Sequence, residues 1–198
     1  VISVNLFDNL VRRYEEPMDL QEAIKNRRTI HSFNTKKVPE IIIERAIEAA
    51  NFAPCHMHTF PWRFTSLQMQ KRQLLVQLAL ELKFENCSPD QISKGKILKK
   101  MLNPSHLLVV SQVVNADPKR KLEDYAACAC AIQNLSLSLV GEGVGSKWST
   151  GKITTDKNTY KIVGIDQGEE EIIGFIWVGY GEAPLEIKRP LISSIFRR

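Results

Sequence analysis

Apolar residues recur at helical spacing in four stretches of the chain and run together or alternate in three others, and that contrast outlines the elements. In "MDLQEAIKNRR" (18 to 28), after the acidic pair Glu15 and Glu16 and Pro17, residues Leu20, Ala23, Ile24 and Arg27 predict a short helix that ends in two arginines. "VPEIIIERAIEAANF" predicts a second, with Pro39 in the first turn, an apolar stripe of Ile42, Ile43, Ala46, Ile47 and Ala50, and Pro54 as its stop. "WRFTSLQ" (62 to 68) alternates like a strand, and "KRQLLVQLALELK" returns to helical period. "HLLVVSQVV" (106 to 114) is a continuous β-branched run, suited to a central strand covered on both faces.

From Leu122 to Glu142 the chain is small and apolar nearly all round, which predicts a helix buried in the core or in a subunit interface. "GEGVGSKWSTG" (141 to 151) reads as a glycine turn, a Trp strand and another turn, and "EIIGFIWVGYG" (171 to 181) as the last clear strand. Helices and strands mix without regular βαβ alternation, so the expected class is α+β, with helices flanking a central sheet. The 198 residues show no repeat and no interior linker, and one domain spanning 1–198 is expected. The tail "EAPLEIKRPLISSIFRR" has too little amphipathic order to stand alone and is expected to pack on a partner subunit.

Composition narrows the partners. Hydrophobic residues make up 43% and charged residues 25%, and no apolar run approaches a membrane span. The net charge of +5 gathers in 93–100, 117–121 and 188–198, but no nucleic-acid-binding signature accompanies it, so these read as solvated basic faces, with attraction of an anionic ligand second. The cysteines Cys55, Cys87, Cys128 and Cys130 lack a regular spacing, which favours a reducing compartment over a disulfide framework. No basic-then-apolar leader precedes Val1, and the expected location is cytoplasmic, with a removed leader left open by the missing initiator Met.

The residues in "APCHMHTFPWRF" (53 to 64) raise a metal site, since Cys55, His56 and His58 are ligand types. A closed zinc site needs four ligands and this turn supplies at most three, with His31 and His106 isolated and no CxxC or HExxH in the chain, so no metal is expected. "RRTIHSF" (27 to 33) sets two arginines and a hydroxyl at a helix end, where they serve either a phosphate or the last helix carbonyls. The glycines of 141–151 form either a phosphate cradle or a tight turn, without a Walker ending or a complete GxGxxG. A serine hydrolase is unsupported, because there is no GxSxG and no acid and histidine pair.

In order along the chain, "RRTIHSF", "APCHMHTFPWRF", "GVGSKWSTG" and "GFIWVGYGEAP" resemble the four motifs of the nitroreductase family of FMN-dependent oxidoreductases, most closely its small members. The resemblance covers nearly the whole chain. It implies a nitroreductase-like fold with a mainly antiparallel central sheet, in an intertwined homodimer whose two flavin sites lie at the subunit interface. It implies an N-terminal arm (1–16) and a C-terminal arm (182–198). Carried over by position, Arg27, Arg28 and Thr29 would hold the FMN phosphate and ribityl chain, and His31 takes a place often held by a basic residue. Cys55 and His56 would reach the flavin from the other subunit, Trp148, Ser149, Thr150 and Gly151 would line it, and Arg189 would be a second phosphate cation.

The activity so implied is ping-pong transfer of hydride from NADH or NADPH through flavin N5 to a small organic acceptor such as a nitroaromatic or a quinone. The flavin carries the chemistry, so no catalytic side chain is expected. Three positions depart from the family pattern: His31 replaces an Arg, Cys55 stands where Asn, Asp or Ser is common, and Phe60 replaces Gln or Glu before Pro61 and Trp62. These losses of polar groups motivate a second reading, a flavin-binding protein with little reductase activity and a role in sensing or assembly.

Overall fold

The computed structural model describes residues 18–85, 90–185 and 187–197. The expected N-terminal arm, the acidic pair before Pro17, and Cys87 lie outside the described residues. In chain order the elements are α1 (Leu20–Asn26), α2 (Glu40–Asn51), a short turn (His56–His58), β1 (Trp62–Ser66), α3 (Met69–Lys83), α4 (Gln91–Leu102) and β2 (His106–Val113). They continue with α5 (Pro118–Gly141), β3 (Gly145–Ser149), α6 (Lys152–Thr155), α7 (Lys157–Val163), β4 (Glu170–Gly179) and α8 (Ile192–Ile195).

The strands form one antiparallel sheet in the order β1-β2-β4-β3. Both central strands are buried almost end to end, as their continuous apolar runs require when helices cover both faces. Leu108, Val110, Ile176 and Val178 face α2 and α5, whereas Leu107, Val109, Phe175 and Trp177 face the layer of α3, α4 and α7. The register of β2 against β4 shifts between Val110 and Ser111, so that Gly174 and Ile172 are paired and Ile173 is passed over. One extra residue reverses the alternation, which is why Ile172 joins Phe175 and Trp177 on one face while Ile173 joins Ile176 on the other.

The helix expected from Leu122 to Glu142 begins four residues earlier. Asp117 accepts from the Lys119 amide at 2.9 Å and Pro118 occupies the first turn, so the true start is a polar cap that an apolar pattern does not register. Its buried face carries Ala127, Cys128, Ala131, Ile132, Leu135 and Leu139, and Leu122, Tyr125 and Cys130 are exposed on the rest of its surface. Helix α4 corrects the reading of 93–100 as a solvated basic face alone. Asp90 caps its start by accepting from the Ser93 amide at 2.8 Å, and Ile97 and Met101 bury its inner side beneath the lysines.

Arg72 is 2% exposed, on α3. Its guanidinium donates to the carbonyl oxygens of Met101 (2.8 Å), Pro104 (2.7 Å) and Ser105 (3.2 Å), tying the end of α4 to the start of β2. Burial holds its pKa below the usual arginine value. The C-terminal segment leaves the sheet after Gly179 and exposes Leu185, Ile187, Leu191, Ile192, Ile195 and Phe196.

Candidate functional site

Three segments far apart in sequence meet at the end of β3. The chain after α1 runs beside β3, with Thr29 bridged to Ser146, and the Ile30 amide donates to the Ser146 carbonyl at 3.1 Å. Since side chains alternate along extended chain, Arg27 and Thr29 share one side, and Ser146 and Trp148 of β3 turn toward α5. Together with Tyr125, Gln133 and Thr150 they line a recess of about 470 Å3.

Trp148 is held there by what its neighbour lacks. A Cβ on Gly174 of β4 would overlap the indole, so the glycine of "GFIWVG" leaves room for Trp148 to lie across the sheet. Its Nε1 donates to the Ile173 carbonyl at 3.4 Å, and Tyr125 lies 6.5 Å away, centroid to centroid. Gly151, at φ +139, adopts a conformation that suits glycine and starts α6, so the turn from Ser149 to Gly151 is a strand end bent sharply into a helix.

The two neighbouring arginines part company. Arg27 enters the recess with Trp148, whereas Arg28 lies with Lys25 and Arg189 in an adjoining hollow of about 740 Å3. The Arg28 Nη1 donates to the Arg27 carbonyl at 3.0 Å and also to the Lys25 carbonyl, which is the helix-end role left open by the sequence. His31 is exposed, with its Nδ1 3.3 Å from the Lys147 Nζ. Burial, and then the Lys100 ammonium, hold Lys147 below the usual lysine pKa.

Cys55 and His56 line neither recess and lie in the loop before β1, which is pinned to α5. Thr59 Oγ1 donates to Asp124 Oδ1 at 2.6 Å, the Phe60 amide donates to Cys55 Sγ at 3.2 Å, and Arg120 Nη1 reaches the His56 carbonyl at 3.5 Å. Met57, His58 and Phe60 all take positive φ (58°, 53° and 43°), a strained path for residues with side chains. The buried Asp124 is thus a lock on this loop that sequence periodicity did not mark.

Cys128, one turn further along α5, has its pKa pushed up to about 12 by burial, then by Asp124 and Cys55, with Arg63 opposing. It is therefore expected to resist a thiol-directed label in the folded protein and to react on unfolding, as peptide mapping would show; labelling of the native protein would contradict its burial. A raised acid favours the protonated folded form, so its stabilising contribution is whole below the ordinary value of 9.0 and is lost as pH rises toward 12. Unfolding measured across that window should show stability falling by up to about 1.4 kcal/mol per pH unit from this group.

An acid and histidine pair, absent from the sequence reading, does exist. Glu40 Oε2 lies 3.0 Å from His106 Nε2, linking the start of α2 to the start of β2, and a separation of 66 positions hid it. The adjacent Ser105 Oγ accepts from the Val38 amide at 2.8 Å, so the cluster fastens a helix to a strand. Lys100, Lys147, Tyr125 and Gln133 were also unmarked in the sequence. Lysines at helical spacing look like solvated surface, and only the fold brings Lys100 to β3, on which Lys147 sits.

A cavity of about 470 Å3 that joins a guanidinium, hydroxyls and an indole is of a size and chemistry suited to a phosphate-bearing aromatic ligand. The chain is also similar to known proteins over most of its length. The nitroreductase family model matches residues 24–180. The "Putative NAD(P)H nitroreductase YfhC" of Bacillus subtilis is 33% identical over 176 residues, covering 86% of this chain and 88% of that protein. Among solved structures, the nitroreductase-like family protein of Bacillus cereus superposes with a TM-score of 0.78 at 26% identity, covering 91% of this chain and 96% of that one. A nitroreductase with bound FMN from Bacteroides fragilis superposes at 0.70 with 24% identity, covering 91% and 98%. With its four motifs placed around one antiparallel sheet and a match that spans most of its length, this chain belongs to the nitroreductase family.

Proposed function

We propose that this protein is an FMN-dependent oxidoreductase that passes electrons from NADH or NADPH to a small organic acceptor such as a nitroaromatic or a quinone, in two half-reactions. The observation that carries this reading is the recess joining Arg27 and Thr29 to Trp148 and Thr150. The FMN bound to the solved Bacteroides fragilis relative supports the choice of cofactor, and the names of the curated relatives support the reductant. FMN, when bound, would supply the two-electron exchange between the reduced nicotinamide and the acceptor.

The protein's own groups bind and orient. Arg27 offers a planar fork to phosphate oxygens and Thr29 a short hydroxyl bond, the pair expected for a dianion. Trp148 and the turn from Ser149 to Gly151 supply a flat wall and backbone amides. Lys147 and Lys100 place positive charge beside that turn, where it would stabilise an electron-rich ring. In this reading Arg28 and Arg189 wall the neighbouring hollow.

The same reading makes 1–198 one unit that works as a homodimer. The exposed Leu122 and Tyr125 of α5 and the apolar side chains of 185–196 are surfaces suited to a second copy. The hollow between α2 and β1, lined by Glu44, Glu48, Arg63 and the aromatic Phe60, Trp62 and Phe64, is suited in character to the apolar C-terminal arm. Such an exchange would carry Cys55 and His56 of one copy to the flavin of the other.

The deciding experiment is spectroscopic. The purified protein should be yellow or should take up added FMN, and mixing it anaerobically with NADH or NADPH should bleach the flavin within seconds. Protein that neither holds nor takes up FMN would overturn the reading, and flavin that stays oxidised in excess reductant would reduce it to a redox-inert binder.

A further inference from the structure

Among the described residues every lysine is exposed except Lys147, which is half-buried on β3. By register it stands opposite Trp177 of β4, on the sheet face away from α5, while Ser146 and Trp148 turn the other way. The bridge of Thr29 to Ser146 sets the course of the segment after α1, and two residues later His31 brings its Nδ1 to 3.3 Å from the Lys147 Nζ. From α4, Lys100 bears on the same ammonium. Among the described residues the ion pairs do not include Lys147, and no carboxylate is among the groups that act on it.

This setting favours nucleophilic attack. Burial strips water from the ammonium and the Lys100 charge disfavours a second cation, so the free amine is more populated here than on a solvated lysine. An ammonium has no lone pair, so Lys147 donates in its contact with His31 and Nδ1 accepts. The exposed imidazole is thus placed to take the amine's proton and pass it to water. Lys100 also lines, with Lys83, Lys96 and Lys152, a cavity of about 360 Å3 beside Phe175 and Trp177, and no carboxylate lines it. Unneutralised ammonium groups draw an anionic reagent to this side of the sheet. We propose that Lys147 is a modification site, acylated at Nζ by small acyl phosphates. The balance is Lys147–NH2 + CH3CO–OPO3(2−) → Lys147–NH–CO–CH3 + HPO4(2−). The N–C bond forms, the C–O bond to phosphate breaks with its electron pair on phosphate, and the amine's proton leaves through His31. A neutral amide then replaces a cation in the strand that leads into the turn from Ser149 to Gly151.

The test is incubation of the purified protein with acetyl phosphate near neutral pH, with acetylation of each lysine followed by mass spectrometry of the digest. Lys147 should react about five- to tenfold faster than the exposed Lys119 and Lys157, and its rate should level off at a lower pH than theirs. His31→Gln keeps a hydrogen-bond acceptor but cannot carry a proton, and should slow Lys147 about threefold or more. Lys100→Gln should move the pH profile of Lys147 up toward that of Lys119. Unchanged rates at Lys119 and Lys157 in both variants show that the fold is kept. With 4-nitrophenyl acetate, a neutral donor, the advantage of Lys147 should shrink, and an equal advantage with both donors would overturn the choice of an anionic one. Equal rates at Lys147 and Lys119 in the unaltered protein would overturn the proposal, as would fast reaction at Lys147 indifferent to both substitutions. The map of acetylated lysines needs no flavin, so a colourless protein would sink the flavin reading and leave this one standing.

Discussion

Replacing Arg27 with Ala is expected to weaken FMN binding by about ten- to a hundredfold, the loss of one or two charge-assisted hydrogen bonds to phosphate. The same change at Arg28 should cost about threefold or less. The contrast follows from geometry: the Arg27 side chain lines the recess with Thr29 and Trp148, whereas the Arg28 guanidinium is already engaged with the carbonyls of Lys25 and Arg27. Equilibrium titration of the apoprotein with FMN, followed by quenching of flavin fluorescence, measures both. The reverse order of effects would move the phosphate to the hollow shared by Arg28 and Arg189.

Arg72→Leu is expected to be the most destabilising single change of a charged residue discussed above, at about 3–5 kcal/mol. Leucine fills part of the volume but leaves the carbonyls of Met101, Pro104 and Ser105 buried and unpaired. For a chain of this length the melting temperature should fall by about 10 °C. Arg72→Lys should recover part of the loss, since an ammonium carries the charge without the planar fork that reaches several carbonyls together. Denaturant unfolding of the three proteins checks this, and a loss below about 1 kcal/mol for the leucine variant would mean that water or a shifted backbone satisfies those carbonyls.

The two experiments address parts of the molecule that were unequally legible in the sequence. The arginines of "RRTIHSF" stood out as candidate phosphate ligands because paired guanidiniums at a helix end are chemically conspicuous. Which of the two serves the recess was not legible, since adjacent residues on extended chain point to opposite sides and only the bridge of Thr29 to Ser146 sets the sense. Arg72 was invisible for the opposite reason. It sits in "KRQLLVQLALELK" among other polar positions, and nothing local distinguishes a buried arginine from a solvated one. The lysine stretch of 93–100 misled in a similar way, because four cations masked the two buried apolar positions, Ile97 and Met101, that make it a helix of the core.

The sequence by itself determined the elements whose cause is local: the apolar periods of α2, α3 and α5, the alternating or continuous β-branched runs of β1, β2 and β4, and the motif order that marks the family. Such patterns follow from burial of one face or two, and burial leaves a period in the residues themselves. The tertiary structure decided what depends on pairing across long separations. The bulge at Ile173 that reverses one strand's faces, the lock of Thr59 on Asp124, the meeting of Thr29 with Ser146 and the cavity between the lysines and Trp177 each join residues that only the closed sheet brings within reach.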